Sequence, residues 1–263
     1  MVQPIVSIII PVYNREEFVL KTLMNVLQNK YRPIELVLVD DGSVDNTLNA
    51  LEQFKVQYEN PEFKILVLTQ PNKGAPAARN LGFENAQGQY IQFLDSDDLI
   101  DPDKFILQIR EMTEVDADFG LCDFELVYSA EGRRVYHSNA QQLNKVINMG
   151  SFGSGAPLLT KKLANMIVWN EKLKRQQDVD YFLKSALLAS KIAYVDKPLY
   201  TYVRHDSERI SMSYSMTSPV YGIRISSLKE ILKYNLNRTN IIRALAQLYL
   251  TLFKFKIKKL FNY

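Results

Sequence analysis

The chain reads as an α/β fold on a mainly parallel sheet covered by helices on both faces. Three observations lead there: four short β-rich apolar runs lie near the N-terminus, an amphipathic stretch follows each, and turn residues bound them all. In order, "IVSIII" precedes "EEFVLKTLMNVLQN", "IELVLV" precedes "NTLNALEQFKVQY", "FKILVL" precedes "PAARNLGFENA", and "YIQFL" precedes "DPDKFILQIREM". Strands that are apolar throughout, without strict alternation, belong to a sheet buried on both sides, and strand–helix repeats give βαβ units.

Beyond these units lies "DFGLCDFELVY", an alternating strand with Cys122 inside it. After about residue 128 the pattern loosens into "SAEGRRVYHSNAQQLNKVINMGSFGSGAPLL", the composition of a longer loop or a small subdomain. A helix-like "DVDYFLKSALLAS" and two strand-like runs, "IAYV" and "LYTYVRH", follow. Gly153 and Gly155 neither follow a clear strand nor match GxGxxG or a P-loop, so they read as a flexible loop and count against dehydrogenases and P-loop kinases.

Cys122 is the single cysteine, which leaves no intrachain disulfide or cysteine metal site. The apolar run of "MVQPIVSIIIPVYN" is too short for a signal peptide, and with the lone cysteine it predicts a reducing, cytoplasmic setting. Charge is unevenly spread. From Arg224 onward nine Lys and Arg face the single acid Glu230, so an acidic body carries a basic tail. A nucleic-acid reader would spread its basic stripe over the folded domain, so that class is excluded. In "NIIRALAQLYLTLFKFKIKKLF" the apolar and polar residues separate at helical spacing, and its apolar segment falls far short of the ~20 residues a membrane span needs. Such a helix docks on protein or lies on anionic lipid, and the four lysines of "KFKIKKLFNY" favour the membrane surface.

Ligands of parallel sheets bind outside the carboxyl ends of the strands. The residues delivered there are Pro11, Tyr13 and Asn14, then Asp40, Asp41, Gly42 and Ser43, then "TQPNKG", and last Asp95 to Asp98. A turn and a helix cap account for Gly42, Ser43 and Asp45, but not for the adjacent acids Asp40 and Asp41, which suit base N–H groups or ribose hydroxyls. Asp95 and Asp97 share a side of an extended segment, and their hard oxygens suit Mg²⁺ or Mn²⁺ held jointly with phosphates. Asp101 with Pro102 starts the next helix, Pro102 at its first position, while Asp98 either joins the metal or leads into the turn. Lys73 and Arg79, around a helix start, form a candidate anion site. Asp178, at a helix start, is an N-cap or a base acting on a second substrate. His205 is structural, or closes the metal site or contacts a phosphate beside Arg204.

The ordered set "VSIIIPVYN", "ELVLVDDGSVDNT", "NKGAPAARNLG", "YIQFLDSDD", "QQDVDYF" and "YVRHDSERIS" resembles the family 2 glycosyltransferases of GT-A fold over roughly residues 5 to 212. The resemblance implies a domain over 1–215, with a nucleotide-sugar half over 1–100 and an acceptor half over 101–215, ahead of the tail at 216–263. It implies that Pro11, Tyr13 and Asp41 line the nucleoside pocket, with Asp41 receiving a uracil base, and that Lys73 and Arg79 lie near the diphosphate. Asp95 and Ser96 would contact the donor, Asp97 would bind a divalent Mn²⁺ or Mg²⁺ with His205 as a further ligand, and Asp178 would be the catalytic base. Gln177 departs from the family, in which many members carry Glu at that place. The implied reaction is an inverting, metal-dependent transfer from a UDP-sugar to a saccharide or glycolipid acceptor in bacterial surface polysaccharide assembly. It would take place in the cytoplasm or at the inner face of the membrane. Oligomers are compatible with all of this. The competing readings are a non-catalytic nucleotide-sugar-binding subunit and a nucleotidyltransferase, the latter lacking a Gly/Arg-rich phosphate loop after the first strand.

Overall fold

The structure is a computed structural model that describes residues 3–128, 132–136 and 153–204. His205, His137 and the basic tail lie outside the described residues. Four parallel strands open the chain: β1 (Val6–Val12), β2 (Ile34–Asp40), β3 (Phe63–Thr69) and β4 (Tyr90–Phe93), in the spatial order β3-β2-β1-β4. Between them run α1 (Val19–Leu27), α2 (Thr47–Tyr58) and α3 (Ala75–Asn85), as the repeating pattern predicts. Every residue of β1 is buried, and alternation divides its side chains between two cores. Ile8 and Ile10 face α1 and α2 through Leu23 and Leu51, whereas Ile9 faces the opposite layer with Ala78 of α3 and Phe182.

The second half continues the sheet with mixed polarity. It comprises β5 (Leu99–Ile100), α4 (Lys104–Glu114), β6 (Phe119–Tyr128), β7 (Gly132–Tyr136), β8 (Leu158–Thr160), α5 (Lys161–Ala164), α6 (Gln177–Leu188) and β9 (Ile192–Arg204). β8 pairs antiparallel with both β4 and β6, β9 runs parallel to β6, and β5 pairs antiparallel with β9 at the far edge. Cys122 is a buried strand residue, as its alternating setting predicts.

Three details depart from expectation. The runs "IAYV" and "LYTYVRH" fall on one strand as far as Arg204, because the break around Pro198 is absorbed by a register shift opposite Asp123. Pro102 sits in the turn before α4 and is not its first residue; the carboxylate of Asp101 accepts from Asp103 N at 2.8 Å to lead into the helix at Lys104. Gly153 and Gly155 are packing residues. A Cβ on Gly155 would lie 2.2 Å from the Tyr200 ring, and one on Gly153 2.4 Å from it, so the segment crosses that ring only without side chains.

Tyr200, 1% exposed, carries this contact to the end of β4. Its hydroxyl donates to Asp98, whose other oxygen accepts from Val203 N at 3.0 Å. Asp98 thereby pins β9 to the turn that follows β4. Burial, reinforced by the nearby Asp95 and Asp97, pushes the Asp98 carboxyl well above the usual carboxylate range.

Gly155→Ala is expected to cost about 1–3 kcal/mol by overpacking, read from the urea midpoint at unchanged m-value. The folded chain holds the Asp98 proton more tightly than the unfolded chain. This favours folding below the ordinary carboxylate range, and the advantage is lost as pH climbs toward the folded value. Asp98→Asn, without added divalent ions, should therefore raise the urea midpoint near neutral pH, and the gap to wild type should close on acidification toward about pH 4. A gap independent of pH would contradict the burial argument.

Candidate active site

Two loops are laced together at the carboxyl end of β1 and β2. Asn14, in the left-handed region at φ 48°, donates its N–H to Ser43 Oγ and accepts from Val44 N, each at 2.9 Å, and Arg15 N donates to Thr47 Oγ1 at 2.8 Å. Asn tolerates this backbone better than most residues, which explains its place after Tyr13. Asp45 starts α2 by accepting from Thr47 N at 3.0 Å. Pro11 is buried within β1, and Tyr13 stands 43% exposed beside the lacing.

Asp40 and Asp41 are both buried. Asp40 accepts from Ser43 N. Asp41 Oδ1 accepts from Gln70 Nε2 at 2.6 Å and Lys73 N at 2.9 Å, and Oδ2 from Gly74 N at 2.8 Å. A carboxylate offers about four acceptor directions, so these three bonds leave room for about one more. Asp41 thus anchors the β3–α3 loop, whatever it contacts besides. Gly42 makes the approach possible: at φ 75° it lies where a Cβ would come within 2.8 Å of Asn72 N. The Lys73 side chain is exposed above this loop.

Asp95 to Asp98 form a tight turn, closed by Asp98 N donating to Asp95 O at 3.2 Å. The alternation expected of them holds: Asp95 and Asp97 are partly exposed, while Ser96 and Asp98 are buried. Ser96 sits against α1, where Thr22 Oγ1 donates to its carbonyl at 3.0 Å. Asp98, left between two readings by the sequence, belongs to the interior.

Arg79 spans the site. Its guanidinium donates to Asp95 Oδ1 at 2.7 Å and to Gln177 Oε1 at 3.3 Å, and it lies 4.4 Å from the Trp169 ring centroid. The side chain is 7% exposed, so this pair is screened far less than a surface one. Trp169 in turn stacks on Tyr181 of α6 at 4.2 Å, and its backbone N–H donates to Asn80 Oδ1 at 2.9 Å. Gln177, the first residue of α6, donates to Leu173 O at 2.9 Å. Asp178 follows it as the second residue of the helix. It is not the cap, which is Gln176 in a left-handed conformation at φ 55°. Peptide dipoles favour an anionic side chain in that first turn.

Two residues of this arrangement are given no role by the motif reading. Trp169 looks like core in any sequence, and only its place over Arg79 shows its part. Tyr202 is the other: burial and then the charges of Asp98, Asp95, Asp97 and Asp178 push its hydroxyl up to about 12. One phenol is therefore within electrostatic reach of both the acidic turn and α6.

Among the described residues no cluster of three His, Cys, Asp or Glu could cage a metal. Two outward carboxylates on one turn, Asp95 and Asp97, nonetheless fit a Mg²⁺- or Mn²⁺-type ion, which takes one or two carboxylates and completes its shell with phosphates and water. No helix among the described residues is long and apolar enough to cross a membrane.

Residues 7–180 match the family model described as glycosyl transferase family 2. The chain is 28% identical over 230 residues to the glycosyltransferase GlyG of Streptococcus pneumoniae, covering 81% of this chain and 75% of that protein. It is 30% identical over 251 residues to the poly(ribitol-phosphate) beta-glucosyltransferase of Bacillus spizizenii, covering 88% of this chain but only 38% of that longer protein. Among solved structures it is similar to S. aureus TarS 1-349 in complex with UDP-GlcNAc, at TM-score 0.77 and 25% identity over 94% of this chain and 72% of that one. A mannosyltransferase from Pyrobaculum calidifontis in complex with GDP-Man and Mn²⁺, at TM-score 0.65 and 16% identity over 95% of this chain and 71% of that one, shares the fold. With its parallel half-sheet, its acidic turn after β4 and a family match over most of its length, the chain belongs to the family 2 glycosyltransferases and has the GT-A fold.

Proposed function

We propose that the chain is an inverting, cation-dependent glycosyltransferase that moves a sugar from a UDP-linked donor to an acceptor hydroxyl in the assembly of a bacterial surface polysaccharide or glycolipid. One observation carries this reading: Arg79 joins Asp95 of the acidic turn to the amide of Gln177, so the first turn of α6, where Asp178 follows Gln177, is held to a donor-side carboxylate through one guanidinium. The UDP-GlcNAc and UDP complexes of TarS support the choice of donor, and the poly(ribitol-phosphate) in the name of the Bacillus relative supports a polymeric acceptor.

In this reading Pro11, Tyr13 and Asp41 line the nucleoside pocket, the base taking the acceptor direction that Asp41 retains. Lys73 and Arg79 face the diphosphate, Asp95 flanks the ribose and donor sugar, Ser96 is turned inward against α1 and supports the turn from beneath, and Asp97 with His205 would hold the divalent ion. That ion supplies charge neutralisation to the departing nucleoside diphosphate. Asp178 accepts the proton of the acceptor hydroxyl as its oxygen bonds to the anomeric carbon. On the opposite face the bond from that carbon to the diphosphate oxygen breaks, its electron pair leaves with the diphosphate, and configuration inverts. Gln177 carries no charge to compete for Arg79, so the guanidinium keeps a cationic remainder beyond Asp95. The competing binding-subunit reading predicts donor binding without turnover.

Asp178→Asn should lower transfer on the order of 10²- to 10⁴-fold while UDP affinity stays within about twofold; a variant that keeps most of its rate removes Asp178 from the base role. The tail, if it meets anionic lipid, should confer vesicle binding that deletion of residues 238–263 abolishes, measured by flotation with phosphatidylglycerol vesicles. Unchanged flotation would assign the tail to protein contacts.

A further inference from the structure

The conformation of β9 places one more polar group in the site, and the motif roles above leave that group without a task. Asp98 holds the strand at two points, through the Tyr200 hydroxyl and through Val203 N at 3.0 Å, and Leu99 pairs with Thr201 across β5. Tyr202 therefore lies on a backbone segment fixed on both sides to the acidic turn. On a strand, side chains two residues apart leave the same face about 6.6 Å apart. Tyr200 points inward to Asp98, so Tyr202 stands one step along the same face, and its ring is partly buried against the Tyr200 side of the core.

From that position its hydroxyl is within electrostatic reach of acids on two elements. Asp98, Asp95 and Asp97 face it from the turn, and Asp178 faces it from the first turn of α6. Burial, with the acids near it, keeps the phenol protonated throughout the neutral range, so it remains an O–H donor there. The nearby guanidinium of Arg79 already spends one arm on Asp95 and another on Gln177. A diphosphate entering beside Asp95 and Asp97 needs donors that add no further demand on that arginine.

We infer that Tyr202 contacts the donor substrate, its phenol O–H donating a hydrogen bond to the diphosphate and supporting that group as it leaves. The inference rests on the donor reading given above and adds a residue to it. Donors aimed at developing negative charge in a water-poor site act on turnover more than on ground-state binding, so the hydroxyl should matter for both UDP affinity and rate, and for rate more.

The test uses the full chain with Mn²⁺ and compares UDP with UMP by calorimetry, alongside transfer kinetics. Tyr202→Phe is expected to weaken UDP binding roughly tenfold, as loss of a hydrogen bond to a charged acceptor does, with UMP affinity, acceptor KM and the urea midpoint unchanged and kcat lowered on the order of a hundredfold. Equal weakening of UDP and UMP would assign the hydroxyl to the architecture of the pocket and overturn the inference. So would UDP affinity and kcat within about twofold of wild type. Tyr202→Leu separates ring from hydroxyl: a loss in Tyr202→Leu that Tyr202→Phe does not share makes packing the sole role, which also overturns it. A wild-type chain that binds no UDP overturns the donor reading itself, whereas normal wild-type binding with an unaffected Tyr202→Phe overturns only this step.

Discussion

The guanidinium of Arg79 is the group on which the site depends. It lies almost out of water between a carboxylate of the β4 turn and the first residue of α6, with an indole beneath it. A buried arginine is costly unless its charge is matched and its fork is occupied, and here the matching partner, Asp95, is itself one of the two outward acids. The same contact thus stabilises the arginine and sets where one candidate ligand points. Its neighbour Asn80 secures the other flank, because its side chain accepts from Trp169 N and donates to Trp169 O, so two consecutive residues of α3 hold the approach to α6.

The acidic turn solves a problem of like charges. Three carboxylates within four residues repel one another, and placing all of them outward would leave the turn with no inward hold. Alternation sends Asp95 and Asp97 to the rim and Asp98 into the core, where Tyr200 and Val203 N receive it. The inward acid fixes the turn, and the outward pair stays at the rim. Asp41 shows the same economy on the neighbouring strand: three donors of the β3–α3 loop close on it, so a buried rim carboxylate shapes the loop beside it.

Much of this was legible in the chain, and the limit is physical. The parallel strands and their helices are visible because burial on both faces demands unbroken apolar runs, and the rim residues follow from where those runs stop. Asp95 and Asp97 could be paired from alternation alone. The inward role of Asp98 could not, since its hydroxyl partner is 102 residues away. Arg79 was recognisable as a cation at a helix start, but not as the bridge to Gln177, 98 residues on, because only the fold brings α3 and α6 together. The Asp196–Pro198 stretch looked like a gap between two strands, and a register shift against β6 carries one strand through it. Gly153 and Gly155 misled for a related reason: glycine marks both loose chain and close contact, and the Tyr200 ring that decides between them is remote in sequence.

That ring has a consequence for how the protein could change. The segment at Gly153 and Gly155 touches Tyr200, Tyr200 touches Asp98, and Asp98 belongs to the turn that carries Asp95 and Asp97. The stretch that precedes β8 ends on residues moulded to one aromatic surface. A transplanted stretch that arrives without its glycines, or a host strand without its tyrosine, would disturb the acids at the other end of the chain of contacts. The unit that has to be exchanged is therefore discontinuous: the stretch itself, two glycines and a tyrosine some 45 positions later, carried together.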